Sequence, residues 1–152
     1  MQLTRPRAAL IIVFVLTLLV LGLNLLSQKE PQPLQGAALE QVTGYALPAA
    51  QNLMTALQID DASSFRKDFD EDLNRDFGLE DFAGLKTRLA PLGELKEISV
   101  QKAIFDHGTI SVYYNLQFQA GLANLNLNLE PDGEHRITRL AMRLAVPVTP
   151  TP

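Results

Sequence analysis

Two stretches of strict alternation between apolar and polar residues limit the folds open to this 152-residue chain. In residues 109–119 and 122–129 apolar side chains occupy every second position, and in the second stretch leucines alternate with Asn124, Asn126 and Asn128. Successive side chains of a strand point to opposite faces of a sheet. Both stretches therefore predict strands that bury one face and leave the other face polar.

Four strands are expected in total. Residues 95–105 and 136–144 have strand-like patterns and flank the two alternating stretches. Glycine-containing turns at residues 106–108 and 131–133 make two of the connections. Because short connections join neighbouring strands in opposite directions, the four strands predict an antiparallel meander.

Apolar residues at helical spacing precede the strands. Pro48 suits the first turn of a helix that ends at residues 60–61, and a third helix is expected at residues 80–90. The second helix, between these two, is expected to bury residues that lie four apart: Phe65, Phe69, Leu73 and Phe77. The fold expected after the amino-terminal segment is therefore α+β, with three helices packed on a four-stranded antiparallel meander.

The amino-terminal segment contains an uncharged apolar run of nineteen residues, 8–26. As a helix this run spans roughly 28 Å, which matches a bilayer core of about 30 Å. Arg5 and Arg7 precede it, and the positive-inside rule then keeps the amino terminus in the cytoplasm and sends the remainder across the membrane. The alternative is a signal peptide that is cleaved to release a secreted protein. The run is longer than the usual signal core of about 7 to 15 residues, and no small-residue cleavage site follows it closely, so an anchor is favoured.

These patterns divide the chain into five parts. Residues 1–7 form the cytoplasmic terminus, 8–26 the transmembrane anchor, 27–44 a linker that begins with a proline-containing segment, 45–146 the α+β domain and 147–152 a disordered tail. The chain has no cysteine, which excludes disulfides, zinc-thiolate sites and thiol catalysis. From Glu30 onward ten Lys and Arg residues stand against seventeen Asp and Glu residues, so nucleic acid and anionic lipid headgroups are disfavoured as partners.

Several segments of the domain resemble a known family. These are the aliphatic helix LPAAQNLMTALQ, the acidic and aromatic DDASSFRKDFDEDL, the helix and turn FAGLKTRLAPLGEL, the strand ISVYYNLQF and the final LEPDGEHRITRLAMRL. Together, over residues 47–144, they resemble the DUF3887 family of extracytoplasmic domains, within the NTF2-like or cystatin-like group. The resemblance implies an α+β fold with a pocket between sheet and helices, and it implies no catalytic residues.

Two clusters of polar residues are weak candidates for a metal or catalytic site. Asp68, Asp70, Asp72 and Asn74 alternate as calcium ligands do, but the required glycine and the final glutamate are absent, so a solvated acidic helix face is favoured. The histidines His107 and His135 lie near turns at one end of the meander, and neither has a spaced ligand partner. No metal or cofactor is expected.

The stronger candidate is the polar face of the sheet. A surface of neutral amides avoids the desolvation cost of charges and suits a wet protein interface, a dimer face or a sugar-like ligand, although plain solvent exposure explains it equally well. The residues expected on this face are Tyr113, Asn115, Gln117, Gln119, Asn124, Asn126 and Asn128. Tyr45 and Tyr114 are expected to line or rim a pocket, with simple packing of Tyr114 as the alternative. The sequence thus predicts a membrane-tethered, non-enzymatic binding module with a protein partner or a second copy at this face; the alternative is a small ligand carrier or enzyme that uses the pocket.

Overall fold

A five-stranded antiparallel sheet with helices on one face makes up the α+β fold of this protein, for which a computed structural model describes residues 31–145. The expected anchor at residues 8–26, the cytoplasmic terminus and the tail at 147–152 lie outside the described residues. Between residues 31 and 145, no helix is both long enough and apolar enough to cross a bilayer.

The sheet is a meander, as the alternating pattern predicted. Its strands follow the chain order β1-β2-β3-β4-β5, and each pairs antiparallel with its neighbour in sequence. The strands are β1 Gln32–Pro33, β2 Leu95–Asp106, β3 Thr109–Phe118, β4 Gly121–Leu129 and β5 Ile137–Leu144. The four long strands begin and end within one residue of the predicted positions.

The fifth strand, β1, was not predicted. Gln32 lies opposite Phe105 and Pro33 opposite Ile104, and the Leu34 amide donates to the Ala103 carbonyl at 2.9 Å. Two residues are too few to show a period of two, so the sequence contains no signal for this pairing.

The first helix, α1, is longer than expected. It spans Gly36–Gln58, so residues 36–44 are helical and their assignment to a linker was wrong. Pro48 lies in its interior rather than in its first turn. The buried residues that precede and follow the proline form one stripe, Val42, Ala46, Ala50, Leu53 and Leu57. Burial of this stripe offsets the backbone hydrogen bond that the proline removes, which costs about 3 kcal/mol in a helix interior.

The predicted second helix is two short helices, α2 Ala62–Phe65 and α3 Glu71–Asp76. Between them the backbone leaves the helical path to pair with the start of β5. The Asp70 amide donates to the Ile137 carbonyl at 3.0 Å, and the Ile137 amide donates to the Asp68 carbonyl at 2.8 Å. The aromatic side chains still face the core. Their spacing therefore predicted the buried side correctly, but the prediction of one continuous helix was wrong.

An aromatic cluster holds these short helices against the next one, α4 Leu79–Leu89. Phe65 is fully buried, and its ring centroid lies 5.7 Å from that of Phe69, 5.5 Å from Phe77 and 5.2 Å from Phe82. These separations and the near-perpendicular angles to Phe69 and Phe82 are those of favourable aromatic pairs. A short 3-10 helix, Ala90–Leu92, follows α4 and leads into β2.

The hydrophobic core lies between α1 and one face of the sheet. From α1, Leu53 and Met54 are at most 2% exposed. The alternating apolar residues of the two central strands complete this core: Ile110, Val112, Tyr114, Leu116 and Phe118 from β3, and Ala123, Leu125, Leu127 and Leu129 from β4. The amides of the two strands are consequently directed to the opposite face.

Candidate functional site

The side of the sheet opposite the helices, called the outer face below, is exposed or half-buried and contributes no residue to the core. The strand register aligns its side chains in rows across β2, β3, β4 and β5. The three complete rows are Ser99–Asn115–Asn124–Arg143, Lys102–Tyr113–Asn126–Ala141 and Ile104–Ser111–Asn128–Arg139. Two partial rows adjoin them, Glu97–Gln117–Leu122 at one end and Asp106–Thr109 at the other.

The two central strands present only uncharged side chains in these rows. Their members are Thr109, Ser111, Tyr113, Asn115 and Gln117 from β3, and Leu122, Asn124, Asn126 and Asn128 from β4. Six of the seven residues predicted for this face lie on it. Because Asn is unfavourable in strands, the buried leucines that alternate with the amides stabilise β4, and the amides do not.

The side chains in the middle of the outer face contact one another. Ser111 Oγ donates to Asn128 Oδ1 at 3.1 Å, and Lys102 Nζ lies 4.7 Å from the centroid of the Tyr113 ring. Asn126 Oδ1 is buried without a hydrogen-bond partner among the described residues. A buried acceptor without a partner costs about 1–3 kcal/mol, so Asn126 is not the residue that folding alone favours here.

Cationic side chains lie at both sides of the amides. Arg139 and Arg143 on β5 are exposed and lie next to Asn128 and Asn124, respectively. Lys102 lies on β2 at the other side. Within residues 31–145, none of these three cations forms an ion pair. The sequence predicted a wholly uncharged face, and these three cations were not predicted to lie on it. The alternation of residues 139, 141 and 143 does, however, assign both arginines to one face of β5.

Gln119 is the one predicted residue that lies elsewhere. β3 ends at Phe118, and the side chain of Gln119 lies beside Gly93. A Cβ atom added to Gly93 would lie 3.2 Å from Gln119 Oε1. Gln119 instead lines a mostly apolar groove of about 690 Å³ on the helix side. Met54, Leu57, Leu89 and Phe118 are among the other residues of this groove.

The two tyrosines predicted for a pocket are in different surroundings. Tyr114 is fully buried, and its hydroxyl has no hydrogen-bond partner among the described residues. Burial raises the pKa of this hydroxyl well above its ordinary value of 10.0, and the charge of an ionised Tyr45 adds to the shift. Tyr114 is therefore a neutral core residue at physiological pH, as the packing interpretation expected.

Tyr45 is half-buried at the edge of an open cleft. Its ring stacks on that of His135, with the centroids 3.8 Å apart and the planes inclined by 5°. Burial raises the pKa of Tyr45. Both residues line a cleft of about 520 Å³, together with the polar side chains of Asn52, Lys67, Asp68, Glu134 and Arg136. Tyr45 therefore rims a cleft that also includes one of the two histidines.

The structure does not bring the two histidines together into one site. His107 contacts Asp106 and occupies the β2–β3 turn, whereas His135 stacks on Tyr45 and its Nδ1 lies 3.2 Å from the Glu130 carbonyl oxygen. Both have positive φ, 46° and 52°. This conformation fits turn residues of their hairpins.

The acidic run at residues 68–74 makes contacts that stabilise the local structure. Asp70 Oδ1 accepts from the Leu73 amide at 2.7 Å and caps α3, and Asp72 pairs with Arg75 at 2.9 Å. Asn74 Oδ1 accepts from Arg66 Nε at 2.8 Å. Across residues 31–145, no group of three His, Asp or Glu side chains is arranged to hold a metal ion.

Comparison of the chain with protein-family models finds no match, and neither curated proteins nor solved structures give one. The function must therefore be inferred from the geometry of the outer face and the clefts.

Proposed function

We propose that this chain is a membrane-tethered, extracytoplasmic and non-enzymatic binding module that recognises a protein partner, or a second copy of itself, through the outer face. In this proposal the uncharged run at residues 8–26 is the anchor, and the domain is an NTF2-like or cystatin-like fold similar to the DUF3887 family. The five-stranded antiparallel sheet with helices on one side is consistent with such a fold.

The observation that carries the proposal is the absence of charge on the outer face of β3 and β4. The described residues include ten Lys and Arg and sixteen Asp and Glu, yet none contributes to that face of the two central strands. Ordinary solvated sheet faces contain charged residues, which remain favourable only while water covers them. Amides keep their hydrogen-bonding capacity when a partner displaces most of that water, because they donate and accept without a net charge.

Site-directed labelling tests this proposal, since the chain has no cysteine of its own. Asn124→Cys introduces a thiol on the exposed outer face, and Thr55→Cys introduces a matched thiol on the exposed side of α1. Both variants are treated, in intact cells and after denaturation, with a maleimide that does not cross membranes. We expect Thr55→Cys to react in intact cells and Asn124→Cys to be protected until the protein is denatured.

Each alternative outcome has a definite meaning. Equal reaction of both thiols in intact cells contradicts a partner at the outer face. Protection of both thiols contradicts the extracytoplasmic location. Native mass spectrometry of the full-length protein in mild detergent then identifies the partner, because a doubled mass indicates a homodimer and any other added protein mass indicates a heteromeric complex.

A small-molecule carrier or enzyme is the second candidate, and the Tyr45–His135 stack in a cleft is the observation that favours it. An aromatic surface beside Asn52, Asp68 and Arg136 offers both stacking and hydrogen bonds to a small ligand. Native mass spectrometry tests this candidate as well. A small-molecule mass that is retained by the wild type and lost in Tyr45→Ala with His135→Ala would favour it, and an unchanged bare mass in both would exclude the cleft.

A further inference from the structure

The described domain is acidic as a whole, but its outer face is not. On that face the three cations Lys102, Arg139 and Arg143 outnumber two carboxylates, Glu97 and Asp106, which lie at opposite ends of β2. The remainder of residues 31–145 contains seven cations and fourteen carboxylates. The charge of the domain is therefore segregated, with the cations of the outer face surrounding a neutral centre.

These cations are available to a partner. All three are exposed, and none is paired with any of the sixteen carboxylates of the described residues. Lys102 lies over the Tyr113 ring, which leaves its charge uncompensated by an anion. An unpaired cation beside a surface that becomes covered requires an anion from the covering molecule.

From these observations, and resting on the proposed function, we propose that the outer face binds an acidic polypeptide segment. Arg139 and Arg143 are four residues apart on β5, so their Cα atoms are about 13 Å apart along the strand. In an extended peptide, side chains four residues apart also point to one side and are separated by about 13 Å. Two carboxylates of an extended acidic segment can therefore meet both arginines at once.

A polypeptide fits this surface better than a phosphate polymer does. Phosphate sites concentrate several donors on one group, whereas these three cations lie more than about 10 Å apart by strand geometry. The amides between them donate and accept hydrogen bonds, as peptide groups do, whereas an ionised phosphate chain only accepts. Asn115 and Asn124 are exposed at the level of Arg143, where they can contact the backbone of the segment.

The probe for the test is fluorescein-labelled poly-L-glutamate, titrated against the full-length protein in mild detergent and followed by fluorescence anisotropy. We expect binding that weakens as salt is added, because exposed charge pairs are screened. Arg139→Gln with Arg143→Gln should weaken binding about five- to thirtyfold, from two exposed contacts of roughly 0.5 to 1 kcal/mol each. Arg75→Gln with Arg88→Gln removes the same charge from the exposed helical surface and should weaken it by less than about twofold.

Two results would overturn the inference. One is equal affinity of poly-L-glutamate for the wild type and for Arg139→Gln with Arg143→Gln. This result counts against the inference even if that variant self-associates through β5. The other is tighter binding of inorganic polyphosphate of matched charge, which would assign the face to a phosphate polymer. Neither result affects the labelling of Asn124→Cys in intact cells. The two experiments therefore distinguish an error about the acidic partner from an error about the proposed interface.

Discussion

Replacing Tyr114 by phenylalanine is expected to stabilise the domain. The Tyr114 hydroxyl is fully buried and has no hydrogen-bond partner among the described residues. Leaving such a group unpaired costs about 1–3 kcal/mol, and phenylalanine fills nearly the same volume without that cost. We therefore expect the free energy of unfolding to rise by about 1–2 kcal/mol, with an unchanged denaturant slope.

The assay is urea unfolding of the full-length protein in mild detergent, followed by circular dichroism because the chain has no tryptophan. Tyr113→Phe is the matched control, since Tyr113 is only half-buried on the outer face and its change should stay within about 0.5 kcal/mol. A loss of about 1 kcal/mol in Tyr114→Phe would refute the reasoning. It would mean that the hydroxyl is hydrogen-bonded in solution, which would favour a ligand or ordered water between helix and sheet.

The same variant gives a pH test. The folded pKa of Tyr114 is raised above the ordinary value of 10.0 by burial. Above pH 10 the unfolded tyrosine loses its proton while the folded one keeps it, so the free energy of unfolding falls as the pH rises from 10 towards the folded pKa. Wild-type stability should therefore fall above pH 10, and Tyr114→Phe should fall less steeply. Equal slopes would contradict the assigned burial of the hydroxyl.

Three further substitutions test the fold in the same urea assay. Phe65→Ala should cost about 3–5 kcal/mol because it leaves a cavity among the three aromatic rings of Phe69, Phe77 and Phe82, and a cost below about 1 kcal/mol would show that the cluster is not packed as described. His107→Asn should raise stability by a few tenths of a kcal/mol, because asparagine tolerates the positive φ of this turn well; a marked loss of stability would show that the contact of His107 with Asp106 stabilises the turn. Asp70→Ala should cost about 1 kcal/mol through loss of the cap on α3, with Asp70→Asn as the conservative control, and no change would show that the Leu73 amide finds another acceptor.

The longer patterns of the sequence determined much of the fold. Alternation in β3 and β4 assigns Tyr114 and Leu127 to one face and Asn126 to the other without any tertiary information, because side chains alternate along every strand. Short glycine-containing turns similarly determined the antiparallel order. The position of α4 also followed from local signals: Gly78 precedes it, and Asp81 in its first turn accepts from the Gly78 amide at 2.8 Å.

Tertiary contacts decided the rest. The aromatic spacing at Phe65 and Phe69 fits one helix, but pairing of Asp68 and Asp70 with Ile137 breaks it, and that partner is distant in sequence. Pro48 predicted a helix start, but burial of residues on both sides of it stabilises one longer helix. The cations around the amides belong to the outer strands, so only the strand register shows that Lys102 shares a row with Tyr113 and Asn126. Local patterns report which way a side chain faces, whereas its neighbours across the sheet depend on pairing between distant segments.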